Sequence, residues 1–140
     1  MEGSKVSCDT ALASICADLK GGADRPNAIL KQAMSRAQEA ICQVPFVKGL
    51  TEMVGGEEEP VPPAQATAVG VLVKGRRITI GWLGDSRAYW VGADGARQLT
   101  TDHSWFNDVV GSGAMTAEQA LKDKRARGIV RSLGAALDGM

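Results

Sequence analysis

Net charge is missing from this chain: sixteen Lys and Arg offset sixteen Asp and Glu, for a formal charge of zero. No broad basic field is then available to nucleic acid or anionic lipid, so neither is expected as a partner and function must lie in local chemistry. Long apolar runs are missing as well. The longest uncharged stretch near the middle, residues 60–73, is too short and too rich in proline to cross a bilayer, and Glu2 and Asp9 stand where a signal peptide would be apolar. Histidine occurs once and cysteine three times, with no Cys-x-x-Cys pair and no His near a Cys, which excludes a zinc site of familiar spacing. The odd cysteine count fits a reduced, cytoplasmic protein, and Cys8, Cys16 and Cys42 are expected as small apolar residues facing a core.

What is present suffices for one fold. With 140 residues, 44% of them hydrophobic and 23% charged, the chain can build one modest core and hardly two. Between residues 8 and 19, Cys8, Leu12, Ile15, Cys16 and Leu19 recur at helical spacing until Gly21-Gly22 ends the pattern, which predicts a first helix. Pro26 suits the first turn of a second, whose Leu30, Met34, Ala37, Ile41 and Val44 share one face until Pro45 stops it. Residues 49–63 hold Gly55-Gly56, three consecutive glutamates and three prolines, a composition predicting a solvated loop between helices and strands.

Strand patterns follow. Residues 66–73 and 77–83 flank the turn pair Lys74-Gly75 and predict a hairpin, with Ile78, Ile80 and Trp82 alternating toward one face. Val69, Val71 and Val73 alternate too, yet the residues between them are small or apolar, so these strands are expected to be covered on both faces. A second hairpin, residues 88–91 and 96–99 joined through Ala93-Asp94-Gly95, extends the run into an antiparallel meander. Beyond Leu99 a short helix is expected over residues 104–110. Thr116 and Gln119 have the spacing of a capping box that opens another helix through Leu121.

Two polar clusters interrupt these apolar patterns. Gly84-Asp85-Ser86-Arg87 lies between strands, where it is either a solvated turn with Arg87 paired to Asp85, or a carboxylate held out to a hard cation such as magnesium or manganese. The second cluster, residues 99–105, joins Asp102 to the single histidine, His103. Asp102 or Ser104 is a candidate helix cap. Ser86 with His103 as its base would make an esterase, but the order of residues around them does not suit that reading.

Taken in order, several segments resemble one family. They are Ala66-Thr67-Ala68-Val69, the run from Ile80 to Trp90 around Gly84-Asp85-Ser86-Arg87, Asp94-Gly95, Gln98-Leu99-Thr100-Thr101-Asp102-His103-Ser104-Trp105, Gly113 to Ala120, and Ile129-Val130-Arg131-Ser132-Leu133-Gly134. In this order they resemble the metal-dependent protein serine/threonine phosphatases of the 2C type, in particular the bacterial branch. The resemblance implies an α+β fold, a β-sandwich flanked by helices in αββα layers, present here in part: a helical portion (1–45), a loop (46–65), a β-meander (66–100) and a flap region (101–134), forming one partial domain over 1–140. It also implies hydrolysis of phosphoserine and phosphothreonine in proteins by water activated on a binuclear magnesium or manganese centre. Asp85 matches the aspartate that the family associates with an auxiliary metal, and is the one metal ligand carried over; no catalytic residue is assigned. The acids that hold the main metal pair would lie before Met1 and after Met140, so the isolated chain is expected to be inactive. The alternative is a non-catalytic pseudophosphatase, or a split-domain module whose sheet edges meet a complementing chain or a second copy.

Overall fold

The computed structural model describes residues 2–45, 51–54, 57–60 and 63–135. Helix α1 spans Glu2–Lys20 and α2 spans Pro26–Cys42. Pro26 occupies the first turn of α2, where its missing N–H costs nothing; of the expected face Leu30, Ala37 and Ile41 are buried and Met34 and Val44 only partly so, while Ile29 and Ala33 complete the buried stripe.

The inward face of α1 is not the one expected. Gly3, Ser7 and Ser14 are buried, whereas Leu12 and Leu19 are 55% and 43% exposed and all three cysteines are exposed. Of the apolar stripe, Ile15 packs on the core. Small residues are needed on the buried side because α2 already fills the shared space. A Cβ on Gly3 would stand 2.9 Å from Ala64 Cβ and 3.3 Å from Ile41 Cδ1. Ser7 satisfies its buried hydroxyl by donating to the Gly3 carbonyl at 2.8 Å.

Inside the stretch expected to be a loop, β1 (Thr51–Val54) pairs antiparallel with β2 (Glu57–Pro60), with Val54 opposite Glu57. A ladder of main-chain bonds tolerates glutamates whose side-chain preference argues against a strand. Residues 46–50, 55, 56, 61 and 62 of that stretch lie outside the described residues.

Strands β3 (Ala68–Lys74) and β4 (Arg77–Leu83) form the expected hairpin, in register from Ala68 opposite Leu83 to Lys74 opposite Arg77. One face lies on α2: Leu72 is buried against Ile29 and Leu30, and the facing pair Gly70 and Gly81 lets Leu30 approach to 3.5 Å of a would-be Cβ on either glycine. The other face is open, with Val69, Val71, Val73 and Ile78 exposed. Cover on both faces is therefore not found among the described residues: the helices supply one layer and no second sheet lies on the other side. Strands β5 (Tyr89–Gly92) and β6 (Gly95–Gln98) pair as a hairpin but make a ladder of their own, so the described strands form three two-stranded sheets rather than one meander.

Helices α3 (Trp105–Gly111) and α4 (Ala117–Leu121) follow. Ser104 caps α3 by accepting from the Asn107 N–H, and Thr116 with Gln119 forms the complete capping box at α4. The last described segment returns to the helices. Leu133, 2% exposed, packs on Ala37 and Ile41, and its backbone exchanges hydrogen bonds with Ala66 at 2.8 and 3.1 Å. The class is α+β, with helices against antiparallel strands. Among the described residues, no helix is long and apolar enough to cross a membrane.

Candidate metal-binding turn and its clamp

Beyond Leu83 the chain leaves the β3–β4 ladder and turns at Gly84, whose φ of +90° belongs to the left-handed region that glycine enters freely. Space makes the same demand: a Cβ there would lie 2.4 Å from Thr67 Cγ2. Ser86, two residues on, shares a 2.8 Å hydrogen bond with the Thr67 hydroxyl. Between them Asp85 is exposed, and its carboxylate makes no hydrogen bond or ion pair among the described residues.

Arg87 explains why Asp85 is unpaired. Its guanidinium is engaged by Asp102, with Nε donating to Oδ1 at 2.9 Å and to Oδ2 at 3.0 Å while Nη2 also donates to Oδ2. The turn reading in which Arg87 neutralises Asp85 is thus corrected. Arg87 holds the Asp102 carboxyl below its ordinary value, chiefly through this hydrogen bonding, with help from Gln98; the same pairing raises Arg87. Asp102 is therefore a clamp partner and not the α3 cap, which is Ser104.

The segment after Asp102 is stitched on several sides. Trp82 Nε1 donates to the Thr101 carbonyl at 2.8 Å, Asn107 Nδ2 donates to the Asp102 carbonyl at 2.8 Å, and the His103 ring stacks on Trp82 with centroids 5.9 Å apart. His103 Nδ1 accepts the Gly84 N–H at 3.1 Å, and the His103 N–H donates to the Gly84 carbonyl at 3.0 Å. Burial pushes the imidazole below its ordinary value, with Arg131 adding to the shift and Asp108 and Asp102 opposing it. Ser86 and His103 make no hydrogen bond to each other; each is engaged elsewhere, which removes the esterase arrangement.

Beyond the clamp, the segment from Ser104 to Gly128 is tied to itself at its base. The Trp105 N–H donates to the Gly128 carbonyl at 2.9 Å, and Arg125 lies over the Trp105 ring, 4.4 Å from its centroid. Asp123 pairs with Arg125 at 2.9 Å, and its carboxyl falls to about 2 under that hydrogen bonding.

Sequence reasoning marked Asp85, Arg87, Asp102 and His103 individually but missed the two cross-connections, Arg87 to Asp102 and His103 to Gly84. A signal existed: Asp102 and Arg87 sit at the two ends of the β5–β6 hairpin, which returns the chain to where it started.

A model of the protein phosphatase 2C family matches residues 1–135. The chain belongs to the protein phosphatase 2C family. Over 68 residues it is 34% identical to the serine/threonine phosphatase stp of Listeria innocua serovar 6a and 32% identical to that of Listeria monocytogenes serotype 4b, a match covering 49% of this chain and 27% of each relative. The matched portion is thus about a quarter of those relatives' length. Two solved structures share the fold. The serine/threonine phosphatase PstP/Ppp of Mycobacterium tuberculosis superposes with a TM-score of 0.55 at 22% identity over 94% of this chain and 55% of that one. The PPM Ser-Thr phosphatase MsPP of Mycobacterium smegmatis, in complex with cacodylate, gives 0.56 at 24% identity over 91% of this chain and 50% of that one.

Proteins of this 2C family are metal-dependent. Among the described residues, no group of three or more His, Cys, Asp and Glu side chains gathers to hold a metal ion. The donors present do not fit a binuclear cage, which needs several converging carboxylates. Asp85, exposed and unpaired on a fixed turn, fits a single ligand that would work with others.

Proposed function

We propose that this chain supplies the sheet, the Asp85 turn and the flap of a 2C-type domain that removes phosphate from phosphoserine and phosphothreonine in proteins, and that it is inactive by itself. One observation supports the reading: Arg87, the nearest cation to Asp85 in sequence, is taken by Asp102, which leaves the Asp85 carboxylate without a partner among the described residues. In a complete site magnesium or manganese ions would activate water and offset charge on the phosphoryl oxygens, which one carboxylate cannot do. Family membership supports the chemistry, and the names of the Listeria relatives support the substrate class. The exposed, unpaired thiols Cys8, Cys16 and Cys42 support a reducing, cytoplasmic setting.

Manganese-dependent hydrolysis of para-nitrophenyl phosphate and of a phosphothreonine peptide tests this. The chain alone is expected to show no turnover. A chimera in which residues 66–134 replace the matching part of the Listeria innocua phosphatase is expected to turn over and to slow on Asp85→Asn. Turnover by the chain alone would refute the inactivity, and a chimera indifferent to Asp85→Asn would refute the metal role.

A second reading, a binding module completed by another chain, is favoured by the open β3–β4 face. Val69, Val71, Val73 and Ile78 lie there beside a groove of about 580 Å³ that also takes in Trp82, Trp90 and Leu99.

A further inference from the structure

Gly84 is buried and sits one residue past the last ladder pair, so its N–H has left the sheet and needs another acceptor. That acceptor is a side chain, His103 Nδ1 at 3.1 Å, while the His103 main chain binds Gly84 in return at 3.0 Å. Because Nδ1 accepts, the ring is neutral and carries its proton on Nε2. Stacking on Trp82 fixes the ring plane, and the Val130 N–H donating to the His103 carbonyl at 3.0 Å fixes the backbone behind it.

We infer that His103 is a positioning residue for the Asp85 turn: its Nδ1 clasps the Gly84 amide and thereby sets where the Asp85 carboxylate is presented. The clasp stands on the hydrogen-bond geometry, and its link to catalysis rests on the metal reading of Asp85 proposed above. Glycine is required at position 84, since its φ of +90° and the Thr67 methyl exclude a side chain there. Ser86 anchors the far side of the same turn to Thr67. Asp85 is therefore bracketed by two anchored neighbours while contributing no anchor itself, an arrangement suited to a ligand kept free for an ion.

Amide exchange followed by NMR on the 15N-labelled 140-residue chain tests the clasp. In the wild type the Gly84 amide is expected to be protected, and the 15N shifts of His103 to show an unprotonated Nδ1. His103→Ala should speed Gly84 exchange about tenfold, as loss of one buried hydrogen bond does, while the Ala33 and Ala37 amides of α2 keep their rates. His103→Asn, whose Oδ1 falls near the Nδ1 position, should restore protection; His103→Gln, whose amide reaches toward Nε2, should not. An unprotected Gly84 in the wild type, or equal protection in the Asn and Gln variants, would overturn the clasp.

Manganese added to the same samples reads the metal separately, through paramagnetic broadening at Asp85. Broadening that weakens in His103→Gln and survives in His103→Asn supports the link. No broadening in any sample sinks the metal reading of Asp85 alone, because the exchange rates still decide the clasp.

Discussion

Arg87 has two acidic residues near it and binds the one more distant in sequence, Asp102, leaving Asp85 open. That choice makes the turn a candidate ligand. Two titrations at this clamp give a pH dependence of opposite reach. His103 has a folded value below its unfolded value of about 6.5, so the native state binds fewer protons, and stability from this group is lost as pH falls from about 6.5 toward the depressed value. Asp102 is also depressed, but from a lower start, so its contribution holds at neutral pH and goes only as pH falls through the acid range. Urea midpoints measured between pH 8 and pH 5 are expected to fall in the lower half of that range, and His103→Asn should flatten the fall without touching the more acidic one. A flat wild-type profile would show that His103 is not held neutral.

At the level of elements, α1 shows what hydrophobic pattern reads well and what it misreads. The period was right and the helix is there. Which face turns inward depended on α2, whose Ile41 reaches to 3.3 Å of a would-be Cβ on Gly3 and leaves room for little else. Leu12→Ser should therefore change stability by no more than about 0.5 kcal/mol, while Gly3→Leu should cost roughly 1–3 kcal/mol through overpacking against Ala64 and Ile41. Chemical denaturation of the two variants checks the contrast, and the reverse ranking would restore the apolar stripe as the buried face. For α2 and the β3–β4 hairpin, pattern and structure agree, because there the apolar spacing and the turn chemistry point the same way. The glutamate-rich hairpin β1–β2 was hidden, since composition speaks for side chains and the ladder is made by the backbone.

At the scale of the molecule, helices cover one side of the β3–β4 hairpin, and among the described residues nothing covers the apolar side. Concentration-dependent association is the expected result, measurable by sedimentation velocity, and Val71→Lys at the middle of that face should suppress it. Monomeric wild type across the accessible concentrations would remove the support for a docking chain.

By itself the sequence determined the two long helices, the β3–β4 and β5–β6 hairpins, the capping box at Thr116, and membership of the 2C family through ordered motifs around Asp85. These follow from local spacing, which a chain carries wherever it folds. Only the tertiary structure decided which face of α1 is buried, that Arg87 serves Asp102, and that His103 holds Gly84. Those outcomes are set by groups distant in sequence competing for the same space or the same proton, and no local pattern records who wins.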